Sequence, residues 1–130
     1  MSEGYAPLIL LLCLIQIKHM FADYFLQTKM MLDGRDQYLH FGRFLHAGVH
    51  ALGSLIVFLI IGAPISFILP LVIAEWAVHF HIDWWKGRHT SDQQLTPADA
   101  AYWRASGVDQ ALHQLTYVAM VWLWLLYGTG

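Results

Sequence analysis

The stretch PISFILPLVIAEWAVHFHIDWWK, residues 64–86, decides the fold. A helix rises ~1.5 Å per residue and a bilayer's hydrocarbon core is ~30 Å thick, so this run can cross a membrane once. Yet its second half carries Glu75, His79, His81 and Asp83, and ionisable groups inside such a helix are costly enough to mark a site or a pathway. Working outward, residues 7–30, 39–61 and 108–127 form three more blocks of the same kind. With 58% hydrophobic and 12% charged residues, the 130-residue chain is too apolar for an ordinary soluble domain. The expected architecture is all-α: one integral membrane domain, residues 1–130, folded as a four-transmembrane-helix bundle.

The connections refine this picture. Gly62-Ala63 is so short that the spans on either side must be antiparallel neighbours. Pro64 suits a helix start, whereas Pro70 removes an interior bond and predicts a bend. Thr96-Pro97-Ala98-Asp99 predicts the start of a short interfacial helix between the third and fourth spans, with Tyr102, Trp103 and Arg104 at the headgroups. The first block lacks the basic flank and small-residue cleavage site of a signal peptide and reads as a retained span. Lys29, Arg35 and Arg43 flank the first connection and Lys86, Arg88 and Arg104 the third, which places those loops in the cytoplasm and both termini outside. Trp84, Trp85 and Trp103 suit one interfacial belt, and Trp122, Trp124 and Tyr127 the opposite one. The lone Cys13 excludes a disulfide framework within the chain, and no basic face for nucleic acid is present. Gly42, Gly48 and Gly53 offer small positions for close helix packing or a homodimer contact.

Four pairs of polar residues share one spacing: His19 and Asp23, His46 and His50, His79 and Asp83, Asp109 and His113. Residues four apart lie on the same helix face, so each span offers one two-toothed polar edge. Measured from the basic residue flanking each span, His19, His50, His79 and His113 lie deeper, while Asp23, His46, Asp83 and Asp109 lie shallower. The chain reverses at every loop, and the order within each pair reverses with it, so two tiers align. A single intramembrane His or Asp is often only an interhelical hydrogen bond worth ~1 kcal/mol, but eight in register point to a site. Imidazole and carboxylate are ligands for Zn, Mn and Fe, and bundles build such centres from side chains on facing helices. All eight residues are candidate ligands, and two tiers suit two divalent ions. His40, His81 and His89 lie off this pattern.

These four motifs, together with Tyr24-Phe25-Leu26-Gln27 after Asp23 and Lys86 after Asp83, resemble the small bacterial membrane proteins of the domain of unknown function 3307 family. The resemblance runs over nearly the whole chain and implies a multi-pass protein of the bacterial inner membrane. More loosely, the His and Asp pattern is similar to membrane-bound metal-dependent hydrolases, which implies hydrolysis at a metal. Lys18, Glu75 and His81 fall outside the motifs that carry the resemblance.

A divalent ion held near the cytoplasmic headgroups could lower the pKa of a bound water toward ~7 and polarise a phosphoryl or acyl oxygen. The expected function is that of a metal-dependent hydrolase or phosphotransferase acting on a membrane lipid or other amphiphile at the inner leaflet. Asp83 or Asp109 would supply a general base, Lys86 would meet a substrate phosphate, Gln27 and Gln110 would support the ligands, and the connection after Arg88 would form a lid. Two other classes compete. A metal-ion or proton transporter would need polar residues through the outer half, where only Gln16, Ser54 and Ser66 occur. A haem or di-iron redox protein would leave three carboxylates unexplained or would need the absent Glu-x-x-His spacing. Lys18 and Glu75 lie at one depth and are expected to pair between spans one and three, beneath the tiers.

Overall fold

Gly62 turns the chain in a left-handed conformation (φ 83°), with Ala63 N–H bonded to the Phe58 carbonyl at 3.0 Å, and two long helices leave this corner antiparallel. In the computed structural model, which describes residues 3–130, the helices are α1 (Ala6–Met20), α2 (Lys29–Leu32), α3 (Phe41–Ile61), α4 (Ile65–Asp92) and α5 (Ala100–Leu123). Wider π-helical turns, Phe21–Phe25 and Trp124–Gly128, prolong α1 and α5. No strand occurs among the described residues. Helix α3 packs on α1 and α4, and α5 packs on α4 and α1, so the four long helices close into a bundle.

Three stretches, Ala6–Phe25, Phe41–Ile61 and Ile65–Asp92, are long and apolar enough to cross a membrane. Their outward faces carry Ile9, Leu12, Leu52, Ile56, Ile60 and Ile73, all exposed, as suits contact with lipid rather than water. Helix α5 is less apolar, because it bears Asp109, Gln110, His113 and Gln114.

The element boundaries differ from expectation in three places. The first span ends at Phe25 rather than Met30: Leu26 leaves the helix, and Thr28 caps a separate short helix, its hydroxyl accepting from Met31 N–H at 3.4 Å. The third helix continues through Pro70 and past Lys86 to Asp92. Residues 100–107 are the first turns of α5, not a separate interfacial helix. Thr96–Asp99 forms a turn in which Asp99 Oδ2 accepts from Thr96 N–H at 2.7 Å, and Gly107 alone, at ~1 kcal/mol, cannot break a helix seeded by Ala100 and Ala101.

The interior is divided along its length. One half is an aliphatic and aromatic core that includes Leu11, Ile15, Phe58, Ile68 and Trp124. The other half buries Lys18, His19, His46, His50, Glu75, His79, Asp109 and His113. Gly42, Gly48 and Gly53 each lie against other parts of the same chain. An added Cβ would meet the Met30 carbonyl at 2.0 Å, the Trp76 ring at 3.0 Å and Lys18 Cγ at 2.5 Å respectively.

Candidate metal centre

The i, i+4 edges of α1, α3, α4 and α5 turn inward and meet. Asp23 sits in the π-helical turn that ends the first span, a widened turn of the kind often found at functional sites. His50 and His79 stack with ring centroids 3.8 Å apart, and His79 lies 4.1 Å from His113. His46 and His50, one turn apart on α3, present rings 4.9 Å apart.

Two groups of side chains bring ligand atoms within 4.8 Å of one another and could hold a metal ion: Asp23, His46, His50 and His79, and His79, Asp83 and His113. Ligands at ~2.1 Å from a shared ion lie up to about 4 Å apart, so these atoms would need to close in only slightly around an ion. His79 Nε2 lies 3.1 Å from Asp83 Oδ2, and His113 Nε2 lies 3.4 Å from Asp83 Oδ1. Nevertheless, among the described residues, His79 Nε2, His113 Nε2 and Asp83 Oδ2 are buried and make no hydrogen bond of acceptable geometry. Buried polar atoms without partners are rare, and three converging ones are what a cation would satisfy. His113 shows how such a lone pair is aimed. Its Nδ1 lies 2.8 Å from the Asp109 carbonyl, which can only accept, so the hydrogen sits on Nδ1 and Nε2 faces Asp83 bare.

His19 and Asp109 stand beside these groups. Lys18 Nζ, which can only donate, reaches Tyr117 Oη at 3.5 Å, and of the two imidazoles beside that hydroxyl His19 Nδ1 at 2.8 Å is nearer than His50 Nδ1 at 3.5 Å, so the tyrosine hydrogen is directed to His19. The His19 hydrogen is then on Nε2, which faces Asp23 Oδ2 and Gln110 Oε1, each at 3.1 Å. His19 therefore orients Asp23, whose other oxygen lies 2.8 Å from His50 Nε2. Asp109 Oδ2 accepts from Lys86 Nζ at 3.1 Å, while its Oδ1 is buried without a partner.

Beneath the imidazoles, Lys18 Nζ and Glu75 Oε1 form the expected ion pair at 2.7 Å. Lys18 also donates to the His50 carbonyl at 3.2 Å. Tyr117, which joins this pair to His19, was not marked by its sequence neighbourhood; its position one turn beyond His113 on the same face is the signal that could have found it. His81 points outward as its spacing predicts and bonds Tyr38 Oη at 2.9 Å. His40 caps α3 through Gly42 N–H, and His89 stacks on Trp85 near the end of α4.

A cavity of about 620 Å³ opens above the centre. All four shallow residues, Asp23, His46, Asp83 and Asp109, line it, and none of the four deep imidazoles does. Its walls come from α4 beyond Asp83, from Leu95 and Tyr102, and from the first connection, including Gln27, Arg35 and Asp36. Both connections therefore cover the site, whereas only the one after Arg88 was expected to. Arg43 holds the first connection down: its guanidinium donates to the Gln37 and Tyr38 carbonyls and to Phe80 O of α4.

Comparison with known proteins adds the family alone. No curated protein and no solved structure matches the chain. A family model does match, over residues 9–129, and by that match the chain belongs to the family described as protein of unknown function DUF3307.

Proposed function

We propose that this protein is a metal-dependent hydrolase or phosphotransferase of the bacterial inner membrane. It acts on a lipid or other amphiphile at the cytoplasmic leaflet, with four spans and both termini outside. The observation that carries this reading is the trio of buried, unpartnered ligand atoms on His79, Asp83 and His113 below a polar, substrate-sized cavity. Two divalent ions, Zn or else Mn or Fe, would be held by these residues, and His79, common to both groups, would give its one lone pair to a single ion. Such an ion supplies a Lewis acid and a water acidic enough to be a nucleophile near neutral pH. Asp83 and Asp23, which line the cavity, would hold the cations from that side. Asp109 is the general base, since its carboxylate faces the cavity and keeps one oxygen unpaired, and Lys86 beside it steadies an anionic substrate oxygen.

Transport is the weaker reading. Below the imidazoles the Lys18 and Glu75 pair is backed by Leu11, Ile15, Phe58 and Ile68, so the polar path ends midway. Haem is disfavoured because imidazoles packed 3.8 and 4.1 Å apart leave no slot for a planar macrocycle. Elemental analysis of the purified chain, paired with metal-dependent turnover of inner-leaflet lipid esters, tests the proposal. Protein that retains no divalent metal after gentle purification would sink it.

A further inference from the structure

The cavity wall brings two cations together. Arg35 comes from the first connection and Lys86 from α4, yet Gly87 lies against Arg35: a Cβ on Gly87 would meet the Arg35 carbonyl oxygen at 2.3 Å and Arg35 Cβ at 3.0 Å. Only a residue without a side chain lets the first connection dock so closely beside Lys86. The Arg35 guanidinium is held in place by an amide clamp. With Gln27 oriented to satisfy both partners, its Nε2 donates to the Asp23 carbonyl at 2.8 Å and its Oε1 accepts from Arg35 Nη2 at 3.0 Å.

Among the three cations that line the cavity, Arg43 alone is fully engaged, its guanidinium consumed by backbone carbonyls. Lys86 spends one of its three ammonium hydrogens on Asp109 and keeps two to donate. Arg35 makes no salt bridge among the described residues, and its nearest acidic neighbour in sequence, Asp36, accepts from Ser91 Oγ at 3.2 Å. Four carboxylates and three cations line the cavity, and each divalent ion would add two positive charges, so a loaded centre attracts anions. A planar guanidinium with spare donors matches a phosphoryl group better than a carbonyl ester.

We propose that Arg35 and Lys86 form an anion subsite for a phosphoryl group, which makes the substrate a phosphate ester rather than a carboxylic ester. This deepens the hydrolase reading and rests on it. Besides the rings of Tyr24 and Tyr102, the apolar lining is Met31, Leu32 and Leu95, set among four carboxylates and three cations, so the cavity takes the phosphorylated head. A phospholipid headgroup and a free phosphate ester share that chemistry.

The test is calorimetric titration of inorganic phosphate into the metal-loaded full chain in detergent. Arg35→Gln should weaken binding ~10- to 100-fold, Arg35→Lys less, with metal content unchanged. Gly87→Val, which pushes the Arg35 backbone away, should reproduce the loss without removing either cation. Equal phosphate affinity in wild type and Arg35→Gln, or no phosphate binding to the loaded wild type, overturns the subsite. Displacement of bound phosphate by phosphatidic acid nanodiscs identifies a lipid source and displacement by glycerol 3-phosphate a free one; displacement by neither overturns it. Metal content is read separately and judges the centre. In chelator-treated protein the ratio between wild type and Arg35→Gln persists, so failure of the centre and failure of the subsite are different results.

Discussion

Replacing Lys18 by methionine removes the cation bonded to Glu75, a residue 2% exposed in the middle of the bundle. At the observed 2.7 Å the pair attracts with about 6 kcal/mol at an effective dielectric constant of ~20, which offsets part of the cost of desolvating the two ions. Taking away either partner leaves an uncompensated buried charge, with an expected cost of ~3–5 kcal/mol. Lys18→Met and Glu75→Gln should therefore each be severe, because Glu75 Oε2 already lacks a hydrogen-bond partner. The double variant keeps the volume and carries no charge, so it should recover most of the loss. Reversible unfolding in mixed detergent micelles, run as a double-mutant cycle, reads the coupling, expected at ~3 kcal/mol. Single losses that sum to the double within ~0.5 kcal/mol would refute the reasoning, since the two charges would then not be compensating one another.

Three further outcomes follow from the geometry. His79→Ala should remove the most bound metal, because His79 belongs to both ligand groups, whereas His81→Ala should leave metal content unchanged by elemental analysis. Tyr117→Phe deletes the hydroxyl that sets the His19 hydrogen, and a metal-chelator competition should show affinity lowered ~10-fold or more with the fold intact by circular dichroism. Gly42→Ala would place a Cβ 2.0 Å from the Met30 carbonyl oxygen, forcing α2 off α3; the unfolding midpoint should fall by more than the ~1 kcal/mol gain in helix propensity could restore.

The polar pairs were legible because a membrane span makes every ionisable residue conspicuous against its background. Their i, i+4 spacing fixed the inward face, and counting from the flanking cations separated cavity-lining Asp23, His46, Asp83 and Asp109 from the deeper imidazoles. Equal depth was enough to expect the Lys18 and Glu75 pair. The end of the first span was not legible, because Phe25 and Leu26 are as apolar as the residues before them and only backbone geometry shows the helix widening and stopping.

Sequence by itself determined the helical class, the apolar spans and which side chains must find polar company, since burying a charge in hydrocarbon leaves few alternatives. Tertiary structure alone decided how they sort themselves. It set His19 behind Asp23 through Tyr117, gave Asp109 to Lys86, left His79, Asp83 and His113 without hydrogen bonds, and brought Arg35 against Gly87. Periodicity specifies only a face and a depth along one helix. Distances and hydrogen-bond directions between side chains on different helices depend on how all four helices pack at once.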